Sequence, residues 1–98
     1  YGHYSASKGG LVSLTRTLAR SFAKEGVLSY CVSPGWTATD MAFRGAPPEV
    51  LEAGRQENPF GEITPPEDVA EVITFLSSGR SRHANGITVD VTGGSYMR

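Results

Sequence analysis

Leu11, Leu14, Leu18 and Phe22 recur at three- and four-residue steps, with Val12 and Ala19 beside them. That spacing returns to one side of a 3.6-residue helix, and a strand, with its period of two, does not produce it. Arg16, Arg20, Lys24 and Glu25 take polar positions, and Gly26 stands where the helix can close. The spacing predicts one helix over residues 4–25. Directly after it, Val27–Ser33 reads as a short strand that ends at Pro34-Gly35. A long helix, a short strand and a Pro-Gly break fit an α/β layered fold with a parallel sheet. In such sheets ligands bind beyond the carboxyl ends of the strands. The stretch from Pro34 to Met41 sits at that place.

The rest of the chain continues the alternation. Pro47-Pro48-Glu49 opens a short helix through Glu52-Ala53, while Gly45, Gly54, Pro59 and Gly61 break up residues 42–63. A long, weakly patterned insert after a sheet edge reads as a lid or binding loop. Thr64 and Glu67 have capping-box spacing with Pro65 at the first helical position, so a helix is predicted over Thr64–Ser78. Val69, Val72, Ile73 and Leu76 form its expected buried stripe, and Gly79 its stop. Ile87–Val91 is a second strand, entered from Asn85-Gly86 and left through Gly93-Gly94. No repeat, low-complexity run or linker divides the 98 residues.

With 39% hydrophobic and 19% charged residues and a net charge of −1, the composition is that of a globular chain with one small core. Arg and Lys are scattered, which argues against a nucleic-acid partner. No apolar run approaches a membrane span. Cys31 is the single cysteine, so no internal disulfide forms and a reducing, cytoplasmic setting is expected. The first residue is Tyr1 rather than Met, so the chain reads as a processed or truncated piece, and a targeting signal can be missing with the start. Ser95-Tyr96-Met97-Arg98 is no retention or peroxisomal address.

Tyr4 and Lys8 stand four apart at the head of the first helix. Residues so spaced share a helix face. A free phenol, with a pKa of about 10, is a poor base near neutrality. A unit charge about 4 Å away, at an effective dielectric of ~20, interacts by roughly 4 kcal/mol. At about 1.4 kcal/mol per tenfold change in acidity, that brings a phenol most of the way to neutral pH, where proton transfer works best. The spacing alone arises by chance in roughly one chain in five of this length, so it identifies nothing unaided. Tyr1 has no such partner, since Ser5 lies four residues on.

Four segments then occur in order: Tyr4-Ser5-Ala6-Ser7-Lys8-Gly9-Gly10, Ser33-Pro34-Gly35-Trp36-Thr37-Ala38-Thr39-Asp40-Met41, Thr64-Pro65-Pro66-Glu67-Asp68-Val69-Ala70, and Asn85-Gly86-Ile87-Thr88-Val89-Asp90-Val91-Thr92-Gly93-Gly94. Together they closely resemble the C-terminal part of the single-domain short-chain dehydrogenase/reductase family, over essentially the whole chain. The resemblance implies an α/β fold, the C-terminal part of a Rossmann-like doubly wound parallel sheet in the order α-β-loop/lid-α-β. Residues 1–98 would be the C-terminal segment of one NAD(P)-binding domain whose N-terminal dinucleotide-binding half is absent. It implies an oxidoreductase moving hydride between NAD or NADP and a small carbonyl or alcohol substrate. Tyr4 would be its acid/base, and Lys8 would activate Tyr4 and bond the nicotinamide ribose. Pro34, Gly35 and Thr37 would run past the nicotinamide, and Thr39 would bond its carboxamide. Homodimers or homotetramers are implied for the full-length protein, and the Gly-Trp-Thr-Ala-Thr-Asp-Met stretch looks most like 3-oxoacyl-carrier-protein reductases. The alternative is an inactive fragment that retains only the family's assembly surface.

Some residues depart from the family pattern. Thr37 stands where Ile or Val is usual, Ser29-Tyr30 where Val-Asn is usual, and Thr92 where Asp is common. Tyr30 then needs room and a partner for its hydroxyl. The glycine fingerprint and the family's catalytic Ser and Asn are not in this chain. Gly9 and Gly10 each cost up to ~1 kcal/mol in a helix, which points to close approach by another backbone or a cofactor. His3 and His83 read as loop residues, Cys31 as a small buried hydrophobe, and Glu49, Glu52 and Glu57 as a solvated face. Trp36 either lines the site's mouth or packs beneath the loop. Two isolated His and one Cys make no metal site.

Overall fold

The computed structural model describes residues 2–35, 37, 45 and 47–96, with residues 2–5 described by their backbone alone. The elements run α1 (Gly2–Phe22), β1 (Cys31–Pro34), α2 (Pro48–Glu57), α3 (Pro66–Ser77) and β2 (Thr88–Val91), with 3-10 turns at Ala23–Glu25 and Arg82–Ala84. The two strands pair with each other. The Cys31 N–H donates to the Ile87 carbonyl at 3.0 Å and the Gly35 N–H to the Val91 carbonyl at 3.1 Å. Both sides advance four residues together, so the pair is parallel. Parallel neighbours need a crossover of a dozen residues or more, and α2 and α3 lie in it. The α/β class read from the sequence therefore holds.

The chain divides into two compact units, Tyr1–Cys31 with Phe75–Val89 and Val32–Thr74 with Asp90–Arg98. In the first, α1 closes through Ala23–Glu25 onto Gly26, whose φ of +82° suits glycine. The strand begins at Cys31, not at Val27 as the sequence suggests. The reason lies in Ser29, whose N–H donates to Asn85 Oδ1 at 2.9 Å and whose carbonyl accepts the Gly86 N–H at 2.8 Å. Tyr30 finds its partner by donating its hydroxyl to the Ser81 carbonyl at 3.1 Å.

The leucine stripe expected to face the core does not. Leu11, Leu14, Leu18 and Phe22 are exposed, the first two by more than half (55% and 53%), while Val12, Thr15 and Ala19 on the adjoining arc are buried. Two constraints select that arc. The Thr15 hydroxyl donates to the Leu11 carbonyl at 2.8 Å, so it enters the interior already satisfied. Asn85 Nδ2 donates to the Ala19 carbonyl at 3.0 Å, and a methyl placed on Gly86 would lie 3.2 Å from the Ala19 Cβ. Only small residues permit that approach. Gly9 and Gly10 have open space around them among the described residues, so no close approach within the chain explains them. Cys31 and Leu76 complete the buried set of this unit, and Ile73, expected beside Leu76, is exposed.

The second unit buries mostly polar groups: Ser33, Asn58, Thr64 and Thr92, with Ile63. Burial of polar groups is tolerable only when they are bonded. Thr92 Oγ1 accepts from the Tyr96 N–H at 3.3 Å and donates to the Tyr96 carbonyl at 3.2 Å, which closes the C-terminal turn and gives the unusual threonine a role. Thr64 forms a parallel bridge with Thr37. It does not cap α3, which begins two residues later at Pro66, so the capping-box reading is corrected. Helix α2 runs to Glu57, beyond the Ala53 the sequence suggests, and stops at Asn58-Pro59 because proline restricts the residue before it to extended backbone. Asn58 Oδ1 accepts the Phe60 N–H at 2.9 Å.

Gly93 has a φ of +68°, and a methyl there would overlap the Asn58 carboxamide. Gly93→Ala is therefore expected to lower stability by about 2–4 kcal/mol, read from the midpoint of urea unfolding. Thr88 Oγ1 is a buried hydroxyl with no hydrogen-bond partner among the described residues. Thr88→Val removes that unsatisfied group and keeps the branched shape, so the same measurement should show a gain of about 1 kcal/mol.

Candidate active site

Helix α1 carries both Tyr4 and Lys8, one turn and about 6 Å of axial rise apart. Counting along the helix, Lys8 belongs to the arc of Val12, Thr15 and Ala19, which is the buried one. Its side chain is half-buried and engaged with a neighbouring group. It is thus not a fully solvated surface lysine. The side chains of His3 and Tyr4 lie outside the described residues.

In the second unit, Pro34 ends β1 and Gly35 extends the strand ladder by one further bond to Val91. The Thr37 hydroxyl donates back to the Gly35 carbonyl at 3.0 Å, and the Thr37 backbone bridges to Thr64. Space at Gly35 is short, since a methyl there would lie 3.3 Å from the Thr92 Cα. Glycine lets two backbones meet at this corner. Pro34, Gly35 and Thr37 are therefore held in one corner at the carboxyl end of a parallel strand, where open α/β sheets receive their ligands. Trp36 and residues 38–44, with Thr39 and Met41 among them, lie outside the described residues.

The remaining candidates fall where the sequence suggests. Cys31 is buried and unpaired with another cysteine. His83 is exposed on its 3-10 turn, and Glu49, Glu52 and Glu57 are exposed along α2. The Arg55–Glu52 ion pair at 3.3 Å is open to solvent and contributes little. Among the described residues no group of three or more His, Cys, Asp or Glu is placed to hold a metal ion. No described helix is long and apolar enough to cross a membrane.

Four residues that shape the two units were not singled out as site residues from the sequence. Asn58-Pro59 and Asn85-Gly86 are turn dipeptides, and that signal was available. Thr64 carries a capping-box signal that points elsewhere, and Thr92 only a departure from the family pattern, because a threonine that bridges or closes a turn looks like any other.

A family model described as enoyl-(acyl carrier protein) reductase matches residues 1–96. The chain is 40% identical over 95 residues to the human (3R)-3-hydroxyacyl-CoA dehydrogenase, covering 97% of this chain and 36% of the relative. It is 40% identical over 94 residues to a short-chain type dehydrogenase/reductase of Picea abies, covering 96% of this chain and 35% of the relative. Among solved structures, the 3-oxoacyl-[acyl-carrier protein] reductase of Brucella melitensis superimposes with a TM-score of 0.89 at 34% identity, over 98% of this chain and 35% of that one. The chain thus spans about a third of the length of these relatives. With a family model matched nearly end to end and a parallel α/β arrangement shared with solved members, the chain belongs to the short-chain dehydrogenase/reductase family.

Proposed function

We propose that this chain contributes the acid/base centre of an NAD(P)-dependent oxidoreductase that interconverts a carbonyl and an alcohol. The observation that carries the reading is Tyr4 and Lys8 one turn apart on α1, with Lys8 on the buried arc, in a chain of this family. A nicotinamide, when bound, supplies or accepts the hydride. In reduction, the Tyr4 hydroxyl gives its proton to the carbonyl oxygen as hydride reaches the carbonyl carbon. The Lys8 ammonium favours the tyrosinate left behind and so lowers the cost of that transfer. In oxidation the tyrosinate takes the alcohol proton.

The residues present fit the nicotinamide end of the cofactor. An ammonium on α1 suits ribose hydroxyls. A threonine hydroxyl both donates and accepts, as a carboxamide requires, and Thr39 follows the Pro34-Gly35 corner, while the Thr37 hydroxyl gives its proton to the Gly35 carbonyl and can only accept. The corner's tight backbone, with Gly35 against Thr92, supports a fixed surface rather than an adaptable one. No glycine-rich phosphate loop occurs in this sequence, so these residues do not by themselves account for a pyrophosphate. NAD and NADP remain equal choices for this chain.

The substrate class we favour is a 3-oxygenated acyl thioester. Support comes from the relatives named for 3-hydroxyacyl-CoA and 3-oxoacyl-carrier-protein, the latter including a Pseudomonas aeruginosa reductase 38% identical over 95 residues. Relatives named as aldehyde reductases keep the wider carbonyl class in play. A second reading rests on the exposed Leu11, Leu14, Leu18 and Phe22, which suit an assembly surface on a piece without turnover. The family's catalytic set has four members, and two match here, so the 98-residue chain alone is expected to be inactive.

Tyr4→Phe in the full-length protein should lower kcat by about 10²–10⁴-fold while calorimetry shows nicotinamide binding nearly unchanged. Unchanged turnover would remove Tyr4 from the chemistry. Lost cofactor binding would point to misfolding or to a binding role instead.

A further inference from the structure

A cleft of about 370 Å³ lies in the first unit, lined by Ser13, Arg16, Thr17, Ala19 and Arg20 of α1 and by the Asn85-Gly86 turn. Arg16 and Arg20 stand one turn apart on the same side of α1, and neither has an ion-pair partner among the described residues. The unit as a whole is basic. It carries Lys8, Arg16, Arg20, Lys24, Arg80 and Arg82 against the single acid Glu25. Six of the nine basic residues that look scattered along the sequence thus fall in this unit, while nine of the ten acids fall in the other.

The polar groups of the cleft are unevenly committed. The Asn85 carboxamide is engaged at both ends, giving one Nδ2–H to the Ala19 carbonyl and accepting the Ser29 N–H, with its second N–H left over. The Thr17 hydroxyl donates to the Ser13 carbonyl at 3.1 Å. The cleft is thus lined by two arginines, whose guanidinium forks only donate, together with Ser13 and Asn85, which add further N–H and O–H donors. Two forks and a hydroxyl offer more donors than one carboxylate accepts, and they suit the several terminal oxygens of a phosphate. The cleft also lies within the size range of small-molecule sites and far exceeds the roughly 30 Å³ of a water-sized group. Arg16 and Arg20 lie roughly a third of a turn round α1 from Lys8, Val12 and Thr15, and Ala19 joins the buried arc to the cleft.

We propose that this cleft binds a phosphate group, with room for a small organic body attached to it. Arg16 and Arg20 hold the phosphate oxygens, Ser13 adds a hydroxyl, and the Asn85-Gly86 turn completes the lining. The proposal does not depend on turnover or on Tyr4.

The test is a titration of the purified protein with inorganic phosphate and, separately, with glycerol 3-phosphate, followed by NMR at the arginine side-chain N–H groups and the Gly86 amide. Both probes should shift Arg16, Arg20 and Gly86 saturably. Tighter binding of glycerol 3-phosphate assigns the site to a phosphomonoester, and equal binding assigns it to free phosphate. Arg20→Gln and Arg16→Gln should each weaken binding about ten-fold or more, with the circular dichroism of the parent. Lys24→Gln removes the same charge from the same stretch of chain outside the cleft and should leave binding within about two-fold. Shifts that never saturate would overturn the proposal. So would a Lys24→Gln loss equal to that of Arg20→Gln, because the attraction would then be the general field of a basic unit.

Discussion

The carboxamide of Asn85 spans two backbone groups that the sequence keeps far apart. Its nitrogen reaches the Ala19 carbonyl on α1, and its oxygen takes the Ser29 N–H ahead of β1. A carboxamide has one acceptor end and one donor end, and each backbone group here needs the opposite kind. The orientation of the side chain is therefore dictated. With Gly86 adding a bond to the Ser29 carbonyl, three segments meet at one short turn. Where the helix can approach, where β1 can start and where β2 enters are all settled there. A larger residue than Ala19 or Gly86 would push the turn off the helix, since even one methyl would come to 3.2 Å.

That constraint explains why the helix was legible and its orientation was not. Three- and four-residue spacing fixes that residues 4–25 coil, and Gly26 fixes where they stop. Spacing does not say which of two adjoining apolar arcs faces inward. Leucines make the stronger apolar signal, yet the arc that docks is chosen by the small Ala19 and by a hydroxyl satisfied within its own helix at Thr15. Turn signals behaved better. Gly79, Gly86, Gly93 and Gly94 all adopt positive φ, and glycine is the residue chosen for such places. The strand ends and the start of α3 shifted by a few residues because side chains from distant parts of the chain claimed backbone groups first.

The candidate site divides the same way. Tyr4 and Lys8 can be proposed from the sequence because a helix converts spacing into shared direction. Pro34 and Gly35 stand out because a Pro-Gly pair marks a strand end, and β1 does end there. What the sequence hides is the support of the corner: Thr37 bridged to Thr64, Gly35 against Thr92, and Gly93 against Asn58. These partners are 20 to 60 residues apart and carry no common motif. Several are threonines and asparagines, which are ordinary loop residues until a fold buries them.

The burial of polar groups in the second unit bears on function. An apolar filling of the same space would be indifferent to small displacements, since dispersion is not directional. Hydrogen-bonded threonines and an asparagine are not indifferent, because a shifted partner leaves a buried group unsatisfied. A corner built from such groups gives up some stability in exchange for a fixed backbone. Transfer of a proton or hydride requires the reacting atoms to be held within a few tenths of an ångström. For the transfer proposed above, the bonds around Thr37 and Thr92 and the Thr37–Thr64 bridge make more sense as alignment of the Pro34-Gly35 corner than as cohesion.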